Sequence, residues 1–358
     1  MRFIFKTHYL QDIRLFQHDG EVFWYGVLGI LVIAAPWLLD GYFLSQLTFV
    51  LIYAVAGLGL MVLSGFAGLP SIGHAAFLGV GAYAETLLTK AGWPFPAAML
   101  GAAVLAGGVG VAVGLPALRL KGIYLAVATL AFGFIVEEVL TRWETVTGGN
   151  EGLQVTAPRI GALSFGASYP LYYICLTVCA LVTLGVLNLL RSSTGRAFIA
   201  IRDSEISAQS MGIDLTRTKT LSFVVSAAIV GVAGALYAHK VRFISPEQFD
   251  LNQSIDLLLL IVVGGLGSVH GAFFGAIFLV TLPQFIAIAK DWLPPQMAQT
   301  AGLQSLVYGL VIIVFVIFEP AGIYGRWLKV RTYFELFPFY RHGTFRRQKA
   351  YQRSERLR

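Results

Sequence analysis

The sequence predicts an all-α fold, a polytopic membrane helix bundle. Three observations carry that expectation. Of 358 residues, 57% are hydrophobic and 13% charged, against about 25% charged in a soluble domain. The apolar residues fall in long runs, most of them near the roughly 17–25 residues needed to cross a bilayer. One polar stretch, residues 192–220, interrupts those runs more than any other and holds Arg196, Arg202, Asp203, Glu205, Asp214, Arg217 and Lys219. The formal net charge is +7. In so apolar a chain such an excess belongs to cytoplasmic loops rather than to nucleic acid.

Residues 1–22 are polar, with Arg2, Lys6 and Arg14. They are long for a signal-peptide n-region and no small-residue cleavage site follows, so a retained cytoplasmic leader is expected. The transmembrane domain is placed at 23–320. Its first two spans are 23–39 and 42–63. Residues 64–85 then carry Gly65, Gly68, Pro70 and Gly73, a density of Gly and Pro that breaks a helix. The third span is placed at 72–88 and the fourth at 95–118, ending at Arg119 and Lys121. The fifth, 122–140, ends with Glu137 and Glu138 outside. A polar external loop with the turn signal Thr147-Gly148-Gly149-Asn150 leads to the sixth span, 169–190.

After the polar stretch the seventh span is 221–238. Residues 239–254 are read as external, and Lys240 and Arg242 there run against the positive-inside tendency. A short apolar segment, 255–263, enters a second glycine-broken stretch. The ninth span is 272–288, Pro294 and Pro295 mark a turn, and the last span is 305–318. The tail, 321–358, is strongly basic and therefore cytoplasmic. The expectation is about ten transmembrane segments with Gly-broken helices and both termini cytoplasmic, provided that 255–263 crosses. Cys175 and Cys179, spaced i, i+4 in one apolar run, read as packing residues.

Within the polar stretch the residues favour a short helix. Asp203 suits an N-cap, Glu205 the positive first turn, and Gly212 the left-handed residue after the end. Ser204, Ala208 and Met211 share one face at i, i+4, i+7. A helix of about two turns is not stable alone and needs a surface to dock on. The other reading is a solvated loop of mixed charge.

Broken helices survive in a membrane only where protein buries them or water lines them. The two glycine-broken stretches therefore supply the candidate translocation path: Ser71, Gly73, His74, Gly265, Gly267, Ser268 and His270. Simpler roles compete with this one. Gly267, Gly271 and Gly275 form a small-residue stripe for close helix packing, each histidine suits a packed or interfacial position, and the serines suit backbone freed by the glycines. Residues 71–79 resemble 268–275, as a parallel internal repeat would. No phosphate-cradling GxxxxGK[ST], HExxH, GxSxG or Cys/His metal pattern occurs, so no catalytic residue, metal or cofactor site is expected in this chain.

Residues 201–214, IRDSEISAQSMGID, resemble the cytoplasmic coupling loop of ABC-importer permeases, in the form found in the branched-chain amino acid permease family (the LivM-like subunit). The wider class reads Glu-Ala-Ala, three residues, Gly; here Ser207 and Ala208 take the small positions and the acid is displaced to Glu205. The resemblance extends over most of the chain, through 57–83, 118–140 with 147–153, 223–249 and 258–278. It implies a multi-pass permease of the bacterial inner membrane, set in lipid beside a second, LivH-like permease. Two ATPases binding ATP and Mg, and a periplasmic substrate-binding protein, complete the implied assembly. Arg202, Asp203, Glu205, Ala208 and Gly212 would then couple to the ATPase. The implied cargo is branched-chain or other hydrophobic amino acids, although relatives carry urea, amides or aromatic acids. The basic tail beyond Gly325 is longer than the family suggests. A stand-alone ion- or proton-driven carrier is the alternative, and the scarcity of mid-span acids counts against it.

Overall fold

The computed structural model describes residues 19–117, 120, 122–160, 163–164, 168–291, 303–318 and 321–336. The leader up to residue 18, Arg119, Lys121, Pro294, Pro295 and the tail beyond 336 lie outside the described residues. Helix α1 is Asp19–Leu38 and α2 is Gly41–Leu60, which continues as a π-helical turn over Met61–Phe66. Then come α3 (His74–Lys90), α4 (Phe95–Ala117), α5 (Ile123–Arg142) and α6 (Ser168–Arg191). The polar stretch holds α7 (Ser193–Asp203) and α8 (Glu205–Ser210). Finally there are α9 (Leu215–Val241), α10 (Leu251–Gly264), α11 (Val269–Asp291), α12 (Leu303–Phe318) and α13 (Gly322–Leu336). The all-α class holds apart from small ribbons: Leu153–Gln154 pairs antiparallel with Phe243–Ile244, and Arg159–Ile160 with Leu163–Ser164.

Helix α9 is the axis on which α2, α3 and α4 pack. Its small residues allow that. A Cβ on Gly81 would enter the backbone of Gly231, and one on Gly234 would strike the Leu78 carbonyl, so α3 and α9 touch backbone to backbone. This close approach is how membrane helices gain dispersion energy that lipid cannot supply. Burial separates centre from rim. The most apolar windows of Gly41–Phe66 and Leu215–Val241 are 78% and 61% buried, whereas those of Ile123–Arg142 and Tyr169–Arg191 are each 22% buried. The latter two leave most of their apolar surface uncovered by the described residues.

Paired contacts give the directions. Along α9, Ser226 meets His74 and His239 meets Glu85, so α3 runs parallel to it. Lys240 bonds Ser45 while Gly59 packs on Ser226 and Val230, so α2 runs antiparallel. The pairs Gly57–Leu260 and Gly65–Gly267 set α10 parallel to α2, and Gly271 against Gly264 and Gly275 against Leu260 turn α11 back along α10.

Six helical runs among the described residues are long and apolar enough to cross a bilayer. The other four expected spans are shorter. The apolar part of α1 is Val22–Leu38, and α3, α10 and α12 have 17, 14 and 16 residues. The short segment expected at 255–263 is thus a real helix, extended at its start because the Asp250 carboxylate accepts from the Gln253 N–H at 3.0 Å. It stops at Gly265, whose φ of 121° leaves the helical region.

Two expectations need correction. Asp203 is not the N-cap of the short polar helix: it is the last residue of α7, held by the Arg202 guanidinium at 3.1 Å. The extended residue is Ser204 (φ −164°), whose hydroxyl accepts from the Ser207 N–H at 3.2 Å. The seventh span runs past its expected end at 238: Lys240 is in the last turn of α9, where its ammonium bonds Ser45 Oγ at 2.8 Å and lies 5.3 Å from the Phe49 ring centre. Gly212 (φ 85°) does end the α8 turn as expected. Cys175 and Cys179 are buried and unbridged.

The α3–α9 crossing yields a paired prediction. Gly81→Ala forces the two backbones apart, at a cost of about 1–3 kcal/mol. Gly185→Ala, where nothing lies within 4 Å of the added carbon, is expected to stabilise by up to about 1 kcal/mol through helix propensity. Thermal unfolding in one detergent checks both signs.

Candidate functional site

Two polar clusters occupy the bundle, and a polar helix pair closes one end of it. The first cluster is built where α3 starts inside the protein. His74 is fully buried. Its Nδ1 pairs with Ser71 Oγ at 2.8 Å and its Nε2 with Ser226 Oγ of α9 at 2.9 Å. The broken backbone before it is satisfied from neighbouring helices: the Ile72 N–H donates to Thr129 Oγ1 of α5 and the Ala75 N–H to Ser254 Oγ of α10, both at 3.1 Å. Gly73 is required because a Cβ there would overlap the Thr129 carbonyl. Unpaired N–H groups in an apolar interior cost several kcal/mol each. These hydroxyls remove that cost and tie four helices at one depth.

A narrow crevice opens from this hub toward Glu137, Asp250 and Phe249, sharing Ile72 and Ser254 with it. It holds about 10 Å³, roughly room for one water. The described side chains around His74 leave no larger opening there.

The second cluster lies nearer the same end. His239 Nε2 contacts Glu85 Oε1 at 3.1 Å, both side chains fully buried, and its Nδ1 contacts the Thr156 carbonyl at 3.0 Å. The Phe95 ring packs edge-on at 5.1 Å. The pair clasps α3 and α9 to the loop that follows α5.

At the opposite end, α7 lies across both helix breaks. Ser192 caps it, accepting from the Gly195 N–H at 3.3 Å, and Phe198 and Ile201 are buried beneath it. Arg202 Nη1 donates to the Gly65 carbonyl at 3.3 Å. The Arg202 stem covers Gly68, which has no side chain to obstruct it, and Gly267 lies against the guanidinium. The Gly267 N–H points at Met61 Sδ at 3.2 Å. One arginine thus touches both glycine-broken stretches. Glu205 bonds the buried Lys219 ammonium at 2.7 Å, fastening α8 to the first turns of α9.

The exposed face of α8 differs from the expected one. Ala208 points inward and is 3% exposed, whereas Ile206 and Met211 are 81% and 85% exposed. Ala208 packs on the chain itself, so that side of the helix is the covered one.

The structure brings the sequence-derived residues together in part. Arg202, Asp203, Glu205, Ala208 and Gly212 form one unit. Ser71, Gly73 and His74 form another, and Gly265 and Gly267 sit near the first. Ser268 caps α11, accepting from the Gly271 N–H at 3.3 Å. His270 is exposed, 2.6 Å from Tyr25 Oη and stacked on Tyr324 with ring centres 5.3 Å apart. It is far from His74 in character: one histidine locks the interior and the other joins α1 and α13 to α11. The partners Thr129, Ser226 and Ser254, and the Glu85–His239 pair, were missed. A lone hydroxyl or acid within an apolar run was the available signal.

Comparison with known proteins agrees with this architecture. The family model described as "Branched-chain amino acid transport system / permease component" matches residues 42–316. The chain is 32% identical to the high-affinity branched-chain amino acid transport system permease protein LivM of Salmonella typhimurium, over 83% of this chain and 74% of that protein. It is 32% identical to LivM of Escherichia coli K12, over 82% and 72%. It is 27% identical to the autoinducer 2 import system permease protein LsrC of Enterobacter sp., over 60% and 62%.

The hub generates a prediction. His74→Leu leaves the Ser71 and Ser226 hydroxyls without their buried partner, at about 1–3 kcal/mol apiece. A clear drop in the melting temperature of the detergent-solubilised protein is expected, and an unchanged one would show that the network adds no stability.

Proposed function

Because the chain belongs to the branched-chain amino acid transport permease family, we propose that it is the membrane subunit of an ATP-driven importer, one that carries branched-chain or other hydrophobic amino acids into the cytoplasm. The observation that carries the reading is the α7–α8 unit. It presents Ile206 and Met211 outward while Arg202 is keyed into both helix breaks. An ATPase gripping α8 would move α7, and α7 cannot move without Arg202 shifting Gly65 and the loop around Gly267. In this proposal the Arg202 end is cytoplasmic, in keeping with Arg191, Arg196, Arg217 and Lys219 around it.

Ten segments then alternate direction across the membrane, with both termini inside. Helix α10 spans only about 21 Å at 1.5 Å per residue. The Pro246–Phe249 turn before it and the glycine loop after it make up the remaining depth. Nothing in the proposal asks this chain to bind nucleotide. Two ATPase subunits with ATP and Mg, a second permease and a periplasmic binding protein complete the assembly, in the inner membrane of a bacterium. The cargo passes between the two permeases, with α5 and α6 as the outward faces available to the second one. Cargo choice rests mainly with the binding protein, so urea, amides or aromatic acids fit the same machine.

One observation favours a second reading, a stand-alone proton-driven carrier: the buried Glu85–His239 pair is an ionisable couple inside the bundle. Uptake separates the two. The importer loses transport without its ATPase and the carrier loses it with the proton gradient.

Two variants test coupling. Ile206→Asp with Met211→Asp alters only exposed side chains and is expected to cut ATPase co-purification at least about tenfold, with melting temperature unchanged; about 1.4 kcal/mol of lost apolar contact suffices. Undiminished ATPase recovery would remove α8 as the docking element. Arg202→Ala is expected to leave the complex assembled and hydrolysing ATP while uptake falls about tenfold or more. Wild-type uptake would show that force does not pass through Arg202.

A further inference from the structure

We infer that Lys219 is the positioning residue of the coupling unit: its buried ammonium holds the Glu205 carboxylate, and that hold fixes the pose in which α8 presents Ile206 and Met211. This role rests on the reading of α8 as the ATPase dock. It makes Glu205 a support behind the docking surface rather than part of it.

Burial is what gives the pair its force. The Lys219 side chain is 5% exposed, and its Nζ lies 2.7 Å from Oε1 of the partly buried Glu205. Lysine is almost never buried this deeply without a partner. Among the described residues Glu205 is the one partner of this ammonium. The nearby acids are committed elsewhere, Asp203 to Arg202 at 3.1 Å and Asp214 to Arg217 at 3.2 Å. Removing either member of the pair strands the other charge, and breaking a buried pair costs far more than an exposed pair gains.

Helix α8 needs such a support. It has six residues, too few to hold a helical shape unaided. Ser204, extended at φ −164°, interrupts the helix between α7 and α8, so α7 does not set the direction of α8 through a continuous ladder. On its other side residues 211–214 join it to α9. Glu205 and Ala208 stand at i, i+3 and share one side of the helix. Both face the chain: Ala208 is buried and Glu205 reaches Lys219. Ile206 follows Glu205, is turned about 100° away from it and is exposed. The carboxylate thus points toward α9, while the apolar side chains beside it point out.

The test uses the full-length chain in mild detergent, with a nitroxide spin label on α8 (Gln209→Cys) or, as a reference for the fold, on α6 (Leu181→Cys). Both positions are exposed, whereas Cys175 and Cys179 are buried. The α8 label is read in the chain alone, without ATPase. Lys219→Met and Glu205→Gln are each expected to raise its mobility while the α6 label stays as it was. Each is also expected to lower ATPase co-purification about tenfold, and the double variant is expected to lose no more than either single one. Glu205→Gln keeps the size of the side chain, so it carries the test if Lys219→Met does not fold. An unchanged α8 label in Glu205→Gln would overturn the proposal; with ATPase recovery reduced, it would show that the carboxylate meets the ATPase directly. Losses that multiply to about a hundredfold in the double variant would overturn it too. If the wild type recovers no ATPase, the importer reading fails by itself, and the mobility of the α8 label still decides the role of Lys219.

Discussion

The constraint on which this structure depends is that broken backbone inside a membrane must find its hydrogen bonds within the protein. Two glycine-rich stretches interrupt helices here, around residues 65–73 and 264–268. Water is absent from the hydrocarbon layer, so every N–H and C=O freed by those breaks needs a partner or costs several kcal/mol. The answers are specific. Thr129 and Ser254 receive the N–H groups of Ile72 and Ala75, and the Gly65 carbonyl receives Arg202. Helix α9 lies at the centre because it is small-sided enough to let the broken segments close around it.

Those partners also set the polarity of the bundle. At one end the breaks are bridged by a charged side chain from an exposed helix pair. Deeper in, they are closed by neutral hydroxyls and His74, with no exposure to solvent. The Glu85–His239 pair adds a second fastening between α3 and α9. The rim follows a different logic: α5 and α6 leave apolar side chains exposed among the described residues.

Much of this was legible in the sequence, and particular residues show why. The helical class, the spans and the polar stretch follow from composition and run length, which need no neighbours to interpret. Gly212 and the Thr147–Asn150 turn followed from local conformational preference. The cap at Ser204 was misread by one residue because Asp203 and Ser204 are both good caps. What decided between them was Arg202, which takes the Asp203 carboxylate. Helix spacing groups Ser204, Ala208 and Met211 on one face but does not give its direction, and the fold turns Ala208 inward.

The sequence by itself determined which segments are apolar, where helices must break and which stretch stays polar, since these depend on side-chain chemistry and backbone freedom within a few residues. Only the tertiary structure decided that Ser226 and Ser254 complete the hub with His74, that Arg202 spans both breaks, and that His270 stacks at the rim rather than entering the core. The buried pairings join residues up to 179 positions apart, and they are selected by the need to satisfy buried polar groups, which no local pattern encodes.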